Sequence, residues 1–232
     1  MLIKLSVIIP CYNEEKTIFL IVEKIKKIKN LTTEIIIVDD CSTDTTSDVL
    51  KNISQVYPDI KIIRHENNSG KGSAIQSGIK LVTGNIVLIQ DADLEYDPND
   101  YHNLLQPFIE TDADVVYGTR FKGGKYVRLH FFWHYLANKI LTTITNIVTN
   151  LNMSDMETGY KVFKSDIIKS IKLNENSFGI EPEITVKLAK KKYIFYEVPI
   201  SYHGRSYEQG KKITLKDAFI AIYCIFRYRW FS

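Results

Sequence analysis

The chain has 232 residues, 45% of them hydrophobic and 25% charged, proportions ordinary for a soluble globular protein with one substantial core. Its net charge of +3 is too small to mark a nucleic-acid-binding protein. The longest non-polar run, the nine residues Ala218 to Phe226, falls well short of the ~18 that a membrane-spanning helix needs.

The first residues, Met-Leu-Ile-Lys-Leu-Ser, enter a strand at once, so no signal peptide is expected ahead of the fold. Leu5 to Pro10 has a strand pattern, and Glu14 to Lys29 has helical periodicity through Ile18, Ile21, Val22, Ile25 and Ile28. Glu34 to Asp39 is a second apolar strand, followed by a helix capped near Ser42 or Asp44. Strand Ile60 to Arg64, helix Gly70 to Leu81 and strand Ile86 to Gln90 come next. A helix from about Asn99 and a strand Asp114 to Tyr117 complete the series. Such βαβα alternation predicts an α/β fold with a mostly parallel sheet covered on both faces. The rhythm then changes. Arg128 to Leu151 reads as a long helix rich in aromatics (Phe131, Phe132, Trp133, Tyr135). Lys161 to Phe163 and Tyr193 to Val198 read as strands around a helix Glu181 to Lys190. Ile213 to Tyr228 reads as a last helix with Leu215, Phe219, Ile222 and Phe226 on one face. No linker interrupts the chain, so residues 1–232 are expected to form a single domain with a C-terminal elaboration. Cys11, Cys41 and Cys224, odd in number and without metal-ligand spacing, fit reduced cytosolic thiols.

Chemistry concentrates at the predicted strand ends. Ile86 to Ile89 lead into Gln90-Asp91-Ala92-Asp93-Leu94-Glu95. Asp91 and Asp93, two apart on extended chain, leave it on the same side. Two carboxylates that close repel each other unless a cation lies between them, and hard oxygen ligands suit Mg²⁺ or Mn²⁺. A solvated acidic turn ahead of Pro98 is the plainer reading. Pro10-Cys11-Tyr12-Asn13-Glu14-Glu15 closes the first strand, where Asn13 also reads as a helix cap. Asp39 ends the second strand, placed to accept from a ribose hydroxyl or a base N–H, or to cap the next helix. Asn67 to Gly72 is glycine-rich and opens a helix, which suits backbone contact with a nucleotide. It lacks Walker-A spacing, which disfavours a nucleoside triphosphatase.

Four segments in this order resemble the family-2 glycosyltransferases, which have the GT-A nucleotide-sugar fold. They are Ser6-Val7-Ile8-Ile9-Pro10-Cys11-Tyr12-Asn13-Glu14, Ile36-Ile37-Val38-Asp39-Asp40-Cys41-Ser42-Thr43-Asp44, Gly70-Lys71-Gly72-Ser73-Ala74 and Asp91-Ala92-Asp93-Leu94-Glu95. The resemblance implies a nucleotide-sugar-binding half (1–120) and an acceptor half (121–232) with membrane-interface helices. It implies that Pro10, Tyr12, Glu14 and Asp39 line the nucleoside pocket with Lys71 nearby, and that Asp91 faces the donor. Asp93 would hold the cation on the diphosphate. Glu95, where the family commonly has Gln, would add a third acid to the metal set or only solvate the loop.

Within the family the chain is most similar to the dolichol-phosphate mannosyltransferase-like, polyprenyl-phosphate branch. Gly118-Thr119-Arg120 matches its Gly-Ser-Arg, whose arginine meets phosphate. Asp155-Met156-Glu157-Thr158-Gly159-Tyr160-Lys161 parallels its Asp-x-x-Ser-Gly-Phe-Arg. Ser201-Tyr202-His203-Gly204-Arg205-Ser206 resembles its segment that closes over the nucleotide, with Arg205 as the clamp on the donor phosphates. His134 stands where the branch carries a second acceptor-phosphate arginine, and Glu157 occupies a position that is usually neutral. The resemblance therefore implies an inverting enzyme that uses a UDP- or GDP-sugar, Mg²⁺ or Mn²⁺ and a lipid-linked acceptor, foremost a polyprenyl phosphate. A hydroxyl acceptor on a glycolipid or surface polysaccharide is the alternative, with Asp155 or Glu157 as base. A nucleotidyltransferase is disfavoured, because Cys11 to Glu15 stand where a glycine-rich, basic phosphate loop belongs. The aromatic stretch 131–135, with Arg128, His130 and Lys139, and the tail Arg227-Tyr228-Arg229-Trp230-Phe231 suit either core packing or contact with a membrane surface. A cytoplasmic, peripheral location is expected, and the oligomeric state stays open.

Overall fold

The computed structural model describes residues 3–122, 132–204 and 215–231. The first half alternates as the sequence predicts: β1 (Lys4–Cys11), α1 (Ile18–Lys26), β2 (Thr32–Asp39), α2 (Thr46–Val56), β3 (Lys61–Arg64), α3 (Lys71–Leu81), β4 (Ile86–Ile89), α4 (Tyr101–Glu110) and β5 (Val115–Thr119). A single 3₁₀ turn, Pro98–Asp100, leads into α4, with Asp97 accepting from the Asn99 amide as its cap. The second half supplies α5 (Phe132–Thr149), β6 (Lys161–Lys164), α6 (Ser165–Lys169), α7 (Ile180–Lys190), β7 (Phe195–Pro199) and α8 (Leu215–Trp230).

All seven strands enter one sheet in the order β3-β2-β1-β4-β6-β5-β7. Every pairing is parallel except those of β6, which runs antiparallel between β4 and β5. This exception decides where the site can form. An antiparallel strand begins at the edge where its neighbours end, so the residues just before β6 arrive beside the carboxyl ends of β1, β2, β4 and β5. Ligands of open α/β sheets bind along that edge.

Alternation along the strands sorts the core into two layers. Leu5, Val7 and Ile9 of β1 pack with Ile18, Ile21 and Val22 of α1, Leu50 of α2 and Leu104 of α4. Ile8 points the other way, into a layer with Ile36 and Val38, Ala74 and Ile75 of α3, Ile180 and Ile184 of α7, and Cys224 and Ile225 of α8. All three cysteines are free thiols.

Two local expectations fail for physical reasons. Helix α1 starts at Ile18 rather than Glu14, because Asn13 adopts a left-handed φ of 54°. Its side chain then accepts from the Thr43 amide at 2.8 Å instead of capping α1. Of the two caps expected for α2, Asp44 accepts from the Thr46 amide at 3.0 Å, while the Ser42 hydroxyl turns back to Asp39. On α8 the buried face is Ala221, Cys224, Ile225 and Tyr228, whereas Phe219, expected to face inward, is 73% exposed. Apolar residues surround this helix on every side, so periodicity could not choose a face; packing against α7 and α5 does.

Candidate active site

A cleft of about 350 Å³ opens at the carboxyl edge of the sheet. Pro10, Tyr12 and Glu14 reach it from the end of β1, Asp91, Asp93 and Glu95 from the end of β4, and Arg120 from the end of β5. Glu157 and Gly159 reach it from the segment before β6, Glu181 from α7, and Tyr202 from beyond β7.

The first wall is the β1–α1 turn. Asn13 donates its amide to Ser42 Oγ at 3.0 Å, and Glu14 donates its amide to Thr46 Oγ1 at 2.9 Å. The turn is thus tied to the end of β2, leaving Tyr12 and Glu14 at the cleft. Asp39, expected in the nucleoside pocket, is instead 1% exposed and outside the cleft lining. Its Oδ1 accepts from Ser42 N–H and O–H, and Oδ2 lies 3.2 Å from Arg64 Nη1 without hydrogen-bond alignment. The neighbouring Asp40 lines the cleft. Its carboxylate accepts from the amides of Ser69 (3.0 Å) and Gly70 (2.6 Å), holding the glycine-rich loop in place. Gly70 has φ +95°, and a Cβ there would overlap the Asn176 carbonyl oxygen, so the position needs glycine on both counts.

The second wall joins β4 to α3 and α7. Lys71 Nζ bridges Asp91 Oδ1 at 2.8 Å and Glu181 Oε1 at 3.0 Å. Burial alone would depress the lysine, but the two carboxylates override it and hold its pKa above the ordinary lysine value, so it is a fixed cation. Gly159 makes room for Asp91: a Cβ there would overlap Asp91 Oδ2 and lie 2.9 Å from the Tyr96 ring. Asp93 Oδ1 accepts from the Glu95 amide at 3.0 Å, which turns the loop and sets Asp93 at the cleft. Glu95, expected in the metal set, lines the same cleft and also makes structural contacts. Its Oε2 accepts from Tyr202 O–H at 2.8 Å and its carbonyl from the His203 amide at 2.8 Å, tethering the segment after β7.

Among the described residues no three acids, histidines or cysteines converge into a metal cage. Mg²⁺ or Mn²⁺ needs none when one or two carboxylates hold it and substrate phosphates and waters complete the shell. Asp93, with Asp91 beside it, fits that donor set.

Opposite lies Arg120, fixed by Asp155. Nε and Nη2 of the arginine each meet an Asp155 oxygen at 2.7 Å, and the Arg120 amide adds a third bond at 3.1 Å. Asn138 Nδ2 of α5 donates a fourth at 2.9 Å. Burial would raise the Asp155 pKa, but Arg120 outweighs it and keeps the carboxyl below its usual range. Fully buried and saturated with donors, Asp155 suits an anchor for Arg120 rather than a proton acceptor. The guanidinium also lies 5.1 Å above the Tyr202 ring.

Glu157 differs. It lines the cleft, and its Oε1 is buried with no hydrogen-bond partner. Burial, then the nearby Glu181 charge, push its pKa from 4.5 up to about 7. Glu181, which the sequence did not single out, is 7% exposed and also holds one buried oxygen, Oε2, without a hydrogen-bond partner. Behind them Lys161 donates to the carbonyls of Met156 and Thr158, and burial lowers its pKa from 10.5 to about 8. His134 lies on α5, outside the cleft lining. Arg205 falls outside the described residues.

The chain is similar to known proteins in sequence and in backbone. Residues 6–172 match the family model described as glycosyl transferase family 2. The chain is 30% identical over 217 residues to a dolichol-phosphate mannosyltransferase of Pyrococcus furiosus, covering 90% of this chain and 60% of that one. It is 30% identical over 214 residues to a dolichyl-phosphate beta-glucosyltransferase of Trichomonas vaginalis, covering 86% and 65%. It thus spans somewhat under two thirds of the length of these curated relatives. The backbone resembles that of glucosyl-3-phosphoglycerate synthase from Mycobacterium tuberculosis, solved with Mn²⁺, UDP and phosphoglyceric acid. There the TM-score is 0.73 at 17% identity, over 99% of this chain and 80% of the other. A mannosyltransferase from Pyrobaculum calidifontis, solved with GDP-Man and Mn²⁺, gives a TM-score of 0.63 at 18% identity, over 86% and 55%. With a GT-A α/β sheet, acids at the end of β4 and a family match across most of its length, the chain belongs to glycosyl transferase family 2.

Proposed function

We propose that this protein is an inverting glycosyltransferase that moves a sugar from a UDP- or GDP-sugar to a lipid-linked acceptor, foremost a polyprenyl phosphate. One observation carries the reading: a single cleft sets Asp93 and Asp91, the latter braced by the Lys71–Glu181 pair, against an arginine held in a fixed orientation by Asp155. The names of the two curated relatives support the acceptor class.

The geometry supports the following roles. Tyr12, Glu14 and Asp40 form the wall for the nucleoside, with the loop ending at Gly70 beside them. Asp93, with Asp91, would hold Mg²⁺ or Mn²⁺, which would neutralise the leaving diphosphate. Arg205 would share that charge from the segment following Tyr202. The buried oxygens of Glu157 and Glu181 that lack hydrogen-bond partners would suit hydroxyl groups of the transferred sugar. Arg120 spends two of its three nitrogens on Asp155 and keeps the third edge for an acceptor phosphate. A phosphate oxygen is ionised at neutral pH and attacks the anomeric carbon without a base, in one displacement that inverts the centre.

Glu157 supports a second reading. A carboxyl titrating near pH 7 is matched to general-base work at neutral pH, as a hydroxyl acceptor would require. Glu157→Gln separates the two: a phosphate acceptor predicts little loss, whereas a hydroxyl acceptor predicts a fall of about 10²–10⁴-fold in rate.

A membrane-surface role rests on α5 and α8. Phe132, Trp133, Phe219, Trp230 and Phe231 are all more than 60% exposed or at 60%, and Arg227 and Arg229 close the last turn of α8. No described helix is long and apolar enough to cross a membrane. Aromatic and basic residues together favour an interfacial position on the cytoplasmic face. Co-flotation with anionic vesicles tests this; protein left wholly in the unbound fraction would refute it.

A further inference from the structure

Beneath the glycine-rich loop, Asp40 of the nucleoside wall is joined to two side chains, His65 and Ser77, to which none of the roles above gives a task. His65 Nδ1 is 2.7 Å from Asp40 Oδ1, and His65 Nε2 is 2.9 Å from Ser77 Oγ on α3. The spacing is that of a serine–histidine–acid relay, but its orientation is reversed. Asp40 lines the cleft and Ser77 does not, so the serine cannot present itself there as a nucleophile. What the relay does present is a carboxylate whose remaining capacity is spent on backbone: Asp40 takes the Ser69 amide on both oxygens and the Gly70 amide on Oδ2.

The next residue is Lys71, the cation that braces Asp91 and Glu181. Asp40 is 3% exposed, so its charge depends on these few donors for stabilisation. With Nδ1–H donating to the carboxylate, Nε2 accepts from the Ser77 hydroxyl, and the imidazole is fixed at both ends. The His65 backbone is fixed too, its amide donating to the Asp39 carbonyl at 2.8 Å.

We propose that His65 is a positioning residue for the donor site: bridging Ser77 and Asp40, it fixes the carboxylate that holds the Ser69 and Gly70 amides and so sets where Lys71 enters the cleft. This deepens the donor-site reading above and rests on it for its functional half. The structural half stands alone.

Three variants test it. His65→Ala removes both contacts; His65→Asn keeps a side-chain N–H near the position of Nδ1–H but cannot reach Ser77; Ser77→Ala removes the far contact only. Amide hydrogen exchange at Ser69 and Gly70, read on the unliganded protein, should speed up by about tenfold or more in His65→Ala and stay within about threefold of wild type in His65→Asn. Calorimetric titration with UDP and with GDP in Mn²⁺ should show the same order, with affinity lower by about tenfold in His65→Ala. In turnover the loss should fall on the donor KM, with kcat within about threefold. Should His65→Ala fail to fold, Ser77→Ala carries the test, with an expected acceleration of about threefold at the same two amides. Wild-type exchange in both His65→Ala and Ser77→Ala would overturn the proposal. So would lost protection with unchanged nucleotide affinity, which would make His65 a packing residue only. Wild-type protein that binds neither UDP nor GDP would instead overturn the donor-site reading, and the exchange measurement would still decide the relay.

Discussion

Gly159→Ala gives the sharpest steric test of the second wall. The backbone there has an ordinary φ, so the substitution adds one methyl group and no conformational strain. That methyl would overlap Asp91 Oδ2 and stand 2.9 Å from Tyr96 Cε2. The tyrosine cannot yield, since its hydroxyl accepts from the Gly159 amide at 2.8 Å and its ring lies between Tyr160 and Tyr202 at 4.7 and 5.1 Å. Asp91 must therefore retreat, by about 1 Å to reach ordinary contact distance. It would carry Lys71 with it, or lose that ion pair. Overpacking of this kind costs about 1–3 kcal/mol, and a displacement of about 1 Å at a reacting centre costs about 10²-fold in rate. Urea melts and initial rates of donor hydrolysis across UDP- and GDP-sugars would measure both. A Gly159→Ala protein with wild-type kcat/KM would refute the placement of Asp91 at the donor.

Four further outcomes are expected. Asp93→Asn should abolish most metal-dependent turnover while stability changes by no more than about 1 kcal/mol, because Asp93 is only half-buried and an Asn oxygen can still accept from the Glu95 amide; a variant with wild-type rate, or a wild type indifferent to chelator, would remove the cation from Asp93. Asp155→Asn should cost about 3–5 kcal/mol by breaking a buried ion pair and should raise the acceptor KM while leaving the donor KM alone. Arg205→Ala should weaken nucleotide-sugar binding without moving the thermal midpoint, as calorimetry and a melt can check together. For Glu157 the prediction concerns pH. Its pKa is raised from 4.5 to about 7 in the folded chain, so the folded state holds the extra proton and wild-type stability falls as pH rises between those values. Glu157→Gln never ionises there, so its stability advantage should be absent below pH 4.5, grow through the window and level off above 7 at about 1–3 kcal/mol. Lys161, lowered to about 8, acts in the opposite sense above that pH, so the series is best read below 8. A flat difference would contradict the burial of Glu157.

Much of this architecture was legible because its signals are local. β-Branched runs ending in Asp39 and Gln90-Asp91 mark strands whose carboxyl ends carry acids, and Gly70-Lys71-Gly72 marks a helix start that the structure places at the cleft. The cleft brings Pro10, Tyr12, Glu14, Lys71, Asp91, Asp93, Glu95, Arg120 and Glu157 together, although they come from five separate segments. What sequence missed depends on distant packing. Glu181 reads as an acid in the first turn of α7, where the helix dipole alone accounts for it; only the docking of the segment before α7 on α3, where Ser73 donates its amide to the Asn176 carbonyl and Gln76 its side-chain amide to the Glu175 carbonyl, delivers it to Lys71. Asp40 hid behind Asp39, because a strand end followed by a left-handed Cys41 (φ 61°) reverses which of two adjacent acids reaches the cleft. The pairing of Arg120 with Asp155 bridges 35 positions and turned a candidate base into an anchor. The direction of β6 was equally hidden, since a strand pattern carries no sign.

The central claim is transfer of a sugar to a phosphate carried on a lipid. Purified protein should be incubated with UDP- and GDP-sugars, Mg²⁺ or Mn²⁺, and a polyprenyl phosphate, with the lipid extract read by mass spectrometry. The account predicts a glycosyl phosphopolyprenol of inverted anomeric configuration, formed only with divalent metal. Transfer solely to a hydroxyl-bearing lipid or saccharide, with the polyprenyl phosphate untouched, would contradict it.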